Sequence, residues 1–133
     1  MAMYSGAHTR HEIKYHFVWC PKYRKMALKD EIGAFVTKLI QEVAERYDIK
    51  IEELAVMQDH VHMFVTAIPE LSPAEIMRVV KSITAREVFQ NYPRIKKMLW
   101  GGNLWARGYF VMTSGEGTTD EMIRRYIKEQ RNE

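Results

Sequence analysis

The run IKYHFVWC at 13–20 alternates cleanly. Ile13, Tyr15, Phe17 and Trp19 share one face, and Lys14, His16, Val18 and Cys20 share the other, so the period of two predicts a strand. The basic stretch PKYRK at 21–25 breaks the pattern and reads as a loop. From Asp30 to about Tyr47 the period changes. Ile32, Phe35, Val36, Leu39, Ile40 and Val43 recur at helical spacing, with Asp30 placed to cap the start. Residues 49–58 and 60–67 then read as two strands joined by a tight hairpin at Gln58-Asp59. Ser72-Pro73 supplies an N-cap and a first-turn proline for a second helix, which carries Ile76, Val79, Val80 and Ile83 on one stripe. The segment 91–107 has no clear period, GYFVMT at 108–113 reads as a short strand, and Thr118-Thr119-Asp120-Glu121 opens a last helix running to about Arg131.

The predicted order is β-α-β-β-α-β-α. Its first six elements match the ferredoxin-like split βαβ arrangement, an α+β antiparallel sheet in which strands one and three form the central pair. Two helices would cover one face of that sheet. The other face would remain for a ligand, a partner or the last helix.

Composition narrows the classes. A chain of 133 residues predicts one domain over 1–133, and 47% apolar residues suffice for a core. Charged residues make up 28% with no long single-sign block and no low-complexity tract, which argues against a disordered chain. The formal charge of +3 permits a polyanionic partner without requiring one. Cys20 is the only cysteine, so an internal disulfide and a cysteine-based zinc site are both excluded. The N-terminal MAMYSGAHTRHE lacks the apolar core of a signal peptide, and no apolar run approaches the ~20 residues of a membrane span. These features predict a soluble, cytoplasmic protein.

Candidate chemistry begins at MQDHVHMFV, residues 57–65. Positions i and i+2 of a strand share a face, so His60, His62 and Phe64 point one way and Val61, Met63 and Val65 the other. At the strand rise, the two histidine Cβ atoms lie roughly 6.5–7 Å apart, a spacing from which both imidazoles can converge on one metal ion. A plainer alternative makes both residues half-exposed sheet positions bonded to neighbours or water. A metal site also needs a third ligand, which nothing adjacent supplies unless Asp59 turns inward.

The last helix offers one. Tyr126 and Gln130 are four residues apart and lie one turn from each other, on a stripe completed by Met122, Ile123 and Ile127. Ordinary amphipathic packing, with Tyr126 as a core aromatic, accounts for that stripe equally well. The sharper alternative lays this helix on the open sheet face. Gln130 then contributes a carbonyl oxygen beside His60 and His62, and Tyr126 reaches a metal-bound substrate. Three neutral ligands leave the cation its full charge and open positions for phosphate oxygens, which suits Mg²⁺ or Mn²⁺ better than a closed structural zinc. A phenol with a pKa near ~10 is a poor nucleophile unaided, and a metal that makes phosphorus more electrophilic compensates.

Taken in order, YHFVWCPKYRK (15–25), MQDHVHMFV (57–65), KSITAR (81–86), LWARGYFVMTSGEG (104–117) and YIKEQ (126–130) resemble the single-tyrosine HUH transposases of small bacterial and archaeal insertion sequences, the TnpA-type, IS200-like proteins. The resemblance spans nearly the whole chain. It implies a metal-dependent homodimer, without a nucleotide cofactor, that acts on single-stranded DNA hairpins at transposon ends. It implies Tyr126 as the nucleophile forming a 5′-phosphotyrosine link and freeing a 3′-OH, with His60, His62 and Gln130 as metal ligands. In such proteins the tyrosine helix can complete the partner subunit's site, so Tyr126 is expected to act either in cis or in trans. Gln58 departs from the proline usual before the Asp-His-x-His run, a change in the turn rather than in a ligand.

The same substrate gives the basic residues a role. Lys22, Arg24 and Lys25 in the first loop and Arg78, Lys81, Ser82 and Arg86 on the second helix are candidate DNA contacts, with Arg94, Lys96 and Lys97 beyond them. Trp100, Trp105 and Tyr92 are candidates for base stacking, whereas Trp19 belongs to the core. Three other readings compete: a domesticated relative nicking host repeats, a non-catalytic dimer of the same fold sensing metal, and a non-catalytic RNA-recognition-like module. The third has Arg107-Gly108-Tyr109-Phe110-Val111 in its favour, but the small residue between the aromatics is absent and the segment falls on the fourth strand.

Overall fold

The computed structural model describes residues 4–5, 10–11, 13–22, 27–100, 102–113 and 120–129. In chain order the elements are β1 (Tyr4–Ser5), β2 (Arg10–His11), β3 (Ile13–Trp19), α1 (Glu31–Arg46), β4 (Lys50–Val56), β5 (Val61–Ala67), α2 (Pro73–Asn91), α3 (Pro93–Met98), β6 (Phe110–Thr113) and α4 (Asp120–Glu129). The main sheet has the order β4-β5-β3-β6, with every neighbouring pair antiparallel. β3 and β5, the first and third strands of the predicted pattern, are the central pair, so the ferredoxin-like expectation holds. β1 and β2 form a separate two-stranded ribbon, and with α3 they are additions to the predicted order. All three are too short to show a period.

One sheet face carries the core. Phe17 and Trp19 of β3 and Val61, Met63 and Val65 of β5 pack with Val36, Ile40 and Val43 of α1 and Ile76, Val80 and Val88 of α2. The segment entering α1 folds tightly onto the first turn because residue 33 is glycine: a Cβ there would come within 2.4 Å of the Leu28 carbonyl oxygen. The start of α2 is fixed by a complete capping box. The Ser72 hydroxyl accepts from the Glu75 backbone N–H at 3.1 Å, and the Glu75 carboxylate accepts from the Ser72 N–H at 3.2 Å.

Two expectations need correction here. Asp30 occupies the N-cap position of α1, but its side chain makes no capping hydrogen bond, because a φ of 58° turns the residue out of the extended cap conformation. Trp105 is enclosed rather than offered to a base. It is 5% exposed, its ring meets Trp19 edge-on at 5.9 Å, and its Nε1 donates to the Thr84 hydroxyl at 2.9 Å. The cause is a strand-like tether: Pro21 bridges Trp105, Lys22 N–H donates to Leu104 O at 2.7 Å, and Ala106 N–H donates to Cys20 O at 2.8 Å. Among the described residues, no helix is long and apolar enough to cross a membrane.

Candidate functional site

The second sheet face is built from residues of opposite parity. Ala55, His62, Val18 and Phe110 form one row across all four strands, and Glu53, Phe64, His16 and Met112 form the next. A bulge in β4 between Ile51 and Glu53 brings the β4 residues into these rows. Val18 and Cys20 lie on this face yet are wholly buried. On the same face Tyr126 of α4 packs its ring against Phe110, with centroids 6.2 Å apart. The Tyr126 hydroxyl is shielded from solvent. Phe110 stands two strands from His62 in the same row, so Tyr126 overlies a position about 10 Å from that histidine at the usual strand spacing. The ring packing expected of Tyr126 as a helix-face aromatic is present in this contact with Phe110.

His60 and His62 sit where a hairpin becomes a strand. Val56 pairs with Val61, and the Met57 N–H donates to the His60 carbonyl at 2.8 Å, which leaves Gln58 and Asp59 as the turn. The tight hairpin expected from the sequence is present, but His60 belongs to its closing pair and only His62 to β5 itself. The two rings have different partners. His60 Nδ1 lies 3.0 Å from an Asp59 carboxylate oxygen, and His62 Nε2 is hydrogen-bonded to His16 Nε2 on β3. The His16 and His62 rings lie in nearly parallel planes, 7° apart, with centroids 4.0 Å from each other. Burial pushes the His16 imidazole below its ordinary value, an effect the Glu53 carboxylate partly offsets. Like the His60–Asp59 contact, this third imidazole was absent from the sequence-based site. The signal for it was available: His16 shares the parity of Val18 on strand one, and strands one and three were expected to be neighbours.

Among the described residues, no group of three or more His, Cys, Asp and Glu side chains is arranged to hold a metal ion. Gln130, the expected third ligand, lies outside the described residues, as do Arg24 and Lys25 of the first loop. The donor chemistry that is present fits a divalent cation. Each expected imidazole ligand has one ring nitrogen engaged by a hydrogen-bonding partner, the support that metal-bound histidines require.

Two clefts flank this end of the sheet. One, of about 520 Å³, lies between the start of α1 and the hairpin and is lined in part by Gln58, Asp59 and His60. The other, of about 380 Å³, lies between α2 and residues 103–107. Arg78, Lys81 and Ser82 line it together with Phe89 and Arg107 and no acidic residue. Lys81 also braces the wall, donating from Nζ to the carbonyls of Ala106 at 2.9 Å and Gly108 at 3.0 Å. Arg86 is exposed beside Glu87 at 3.4 Å, and the Lys22 backbone takes part in the tether to Leu104. Of the aromatics expected to stack on bases, Trp100 is the exposed one, at 83%, while Tyr92 packs against Phe35.

Comparisons with known proteins agree with this arrangement. A family model described as "Transposase IS200 like" matches residues 9–130. The chain is 32% identical over 130 residues to the ISDra2 transposase TnpA of Deinococcus radiodurans, covering 98% of this chain and 92% of that one. It is 33% identical over 129 residues to the transposase for insertion sequence element IS200 of Salmonella typhimurium, covering 97% and 84%. Among solved structures, a candidate transposase from Deinococcus radiodurans R1 superposes with a TM-score of 0.87 at 32% identity, covering 96% of this chain and 98% of that one. A REP-associated tyrosine transposase bound to a REP hairpin shares the fold, with a TM-score of 0.55 at 13% identity over 96% of this chain and 68% of that one.

Proposed function

Because the chain belongs to the IS200-like transposase family, we propose that it cleaves and rejoins single-stranded DNA at hairpin-bearing transposon ends. Tyr126 is the nucleophile, and His60, His62 and Gln130 hold Mg²⁺ or Mn²⁺. The observation that carries this reading is the placement of Tyr126, on α4, over the sheet face and cross-strand row that hold His62.

When bound, the divalent cation polarises the scissile phosphodiester and stabilises charge on the departing oxygen. The chain's residues supply the rest. Asp59 orients the His60 imidazole, and His62 is presented from the second residue of β5. The Tyr126 oxygen attacks phosphorus and the bond to the 3′ oxygen breaks. The 5′-phosphate stays on the tyrosine, and the 3′ oxygen leaves as a hydroxyl. One proton lost from the phenol balances one gained by the 3′ oxygen, so the step is neutral overall. Rejoining is the reverse, with a 3′-hydroxyl attacking the phosphotyrosine. Shielding of the Tyr126 hydroxyl limits hydrolysis of that link by water.

DNA backbone binding falls to the α2 cleft, where Arg78, Lys81 and Ser82 meet Arg107, and to Lys22, Arg24, Lys25 and the exposed Arg86. The protein acts as a homodimer in the cytoplasm, as one domain over 1–133. The packing of Tyr126 against Phe110 of its own chain supports attack in cis. Incubation with a labelled single-stranded hairpin end and Mg²⁺ or Mn²⁺ tests the chemistry: wild type forms a covalent protein–DNA band and Tyr126→Phe forms none. An adduct with Tyr126→Phe would remove the assignment of the nucleophile. Mixing Tyr126→Phe with His62→Ala tests cis action, since restored cleavage would show that the sites are completed in trans.

A further inference from the structure

Two features of the second sheet face and its surroundings are left unused by the mechanism: the cleft beside the hairpin and His16. The latter is the more constrained. Its ring is held by Phe64, with centroids 5.4 Å away, and by His62, while Met112 is its backbone register partner across the β3–β6 pairing. Its nitrogen contact is specific, because the atom meeting His62 is Nε2 on both rings.

We propose that His16 is the positioning residue of the metal centre, setting which nitrogen His62 offers to the cation. The inference rests on the metal-site reading above. Two imidazoles that face each other through like nitrogens can hydrogen-bond only if one carries the proton and the other the lone pair. With His62 as the donor, its proton is fixed on Nε2 and its lone pair on Nδ1. His60 is set the opposite way, because the Asp59 carboxylate is acceptor-only when ionised and therefore holds the proton on Nδ1. Each ligand thus has a partner of its own. Asp59 serves His60 from the turn, and His16 serves His62 from the adjacent strand. Such partners fix tautomer and ring orientation, and their loss costs about 10- to 100-fold in metal affinity.

His16 also explains a sheet feature that catalysis alone does not require. His16 sits half-buried on a central strand, where its two Cα partners across the strands, Phe64 and Met112, are both apolar. An imidazole placed beside Phe64 directs its Nε2 edge at His62, and the two rings lie only 7° from parallel.

The test is Mn²⁺ binding to the full chain without DNA, read by the free-ion electron paramagnetic resonance signal. His16→Ala is expected to weaken Mn²⁺ by about 10- to 100-fold while leaving hairpin binding and the melting temperature near wild type. His16→Gln, whose amide can accept from the His62 ring, is expected to recover most of the affinity. Pulsed measurements on wild type should count two directly bound imidazoles. Wild-type Mn²⁺ affinity in His16→Ala would overturn the proposal, as would three bound imidazoles falling to two in His16→Gln, which would make His16 a ligand. His62→Ala separates the two levels: if it binds Mn²⁺ as wild type does, the metal-site reading itself fails, whereas loss there with no effect at His16 removes only the positioning role.

Discussion

The two faces of the sheet are made from the same strands and differ by one residue of phase, yet they are built to different ends. On one face Phe17, Trp19, Met63 and Val65 are closed over by α1 and α2. On the other, one residue along each strand, His16, His62 and Phe64 form a polar and aromatic surface that α4 reaches with a tyrosine. Period-two geometry makes this division possible, because a strand can give every odd residue to stability and every even residue to chemistry. A substitution should therefore be costly in one currency and cheap in the other.

The largest contrast is expected from Tyr126→Phe. Adduct formation should vanish while thermal unfolding stays near wild type, and a collapse of the melting temperature would mean that the second face is also structural. Next comes the mirror experiment. Phe17→Ala removes a fully buried ring and should lower unfolding free energy by about 3–5 kcal/mol in denaturant titration, with adduct chemistry retained by the molecules that stay folded. A change under 1 kcal/mol would contradict the placement of the core. Smaller still is Arg78→Ala in the α2 cleft. It should weaken hairpin binding several-fold at low salt and reduce the slope of log affinity against log salt by about 1, with no change in the Mn²⁺ requirement. The smallest effect belongs to Ser72→Ala, which removes the capping box of α2 and should cost about 1 kcal/mol of stability without altering cleavage.

Much of the first face was legible in the sequence because buried apolar residues repeat. The stripes of α1 and α2 and the alternation of β3 identify the core and the central strand pair, and the capping box at Ser72 is visible as Ser-Pro followed by Glu75. The second face was legible in part. His62 and Tyr126 stand out by spacing, each along its own element, whereas the contact between His16 and His62 depends on register between two strands 46 residues apart, and Gln130 lies outside the described residues. Spacing within an element does not carry that information, although face parity does once the strands are known to be neighbours. The segment 91–107 was read least well. α3 is six residues long, and the burial of Trp105 follows from a single bridge to Pro21, a tertiary contact that leaves no period in the chain. Asp30 has the residue type of a helix cap but a left-handed backbone, which residue identity alone does not reveal.

The division of labour between the faces stands or falls on where the DNA becomes attached. After cleavage of a hairpin end, protease digestion and mass spectrometry of the covalent product should find the nucleotide on the short tryptic peptide that begins at Tyr126. A nucleotide on Tyr109, Tyr92 or any other side chain, or efficient cleavage with no modified peptide at all, would contradict the assignment.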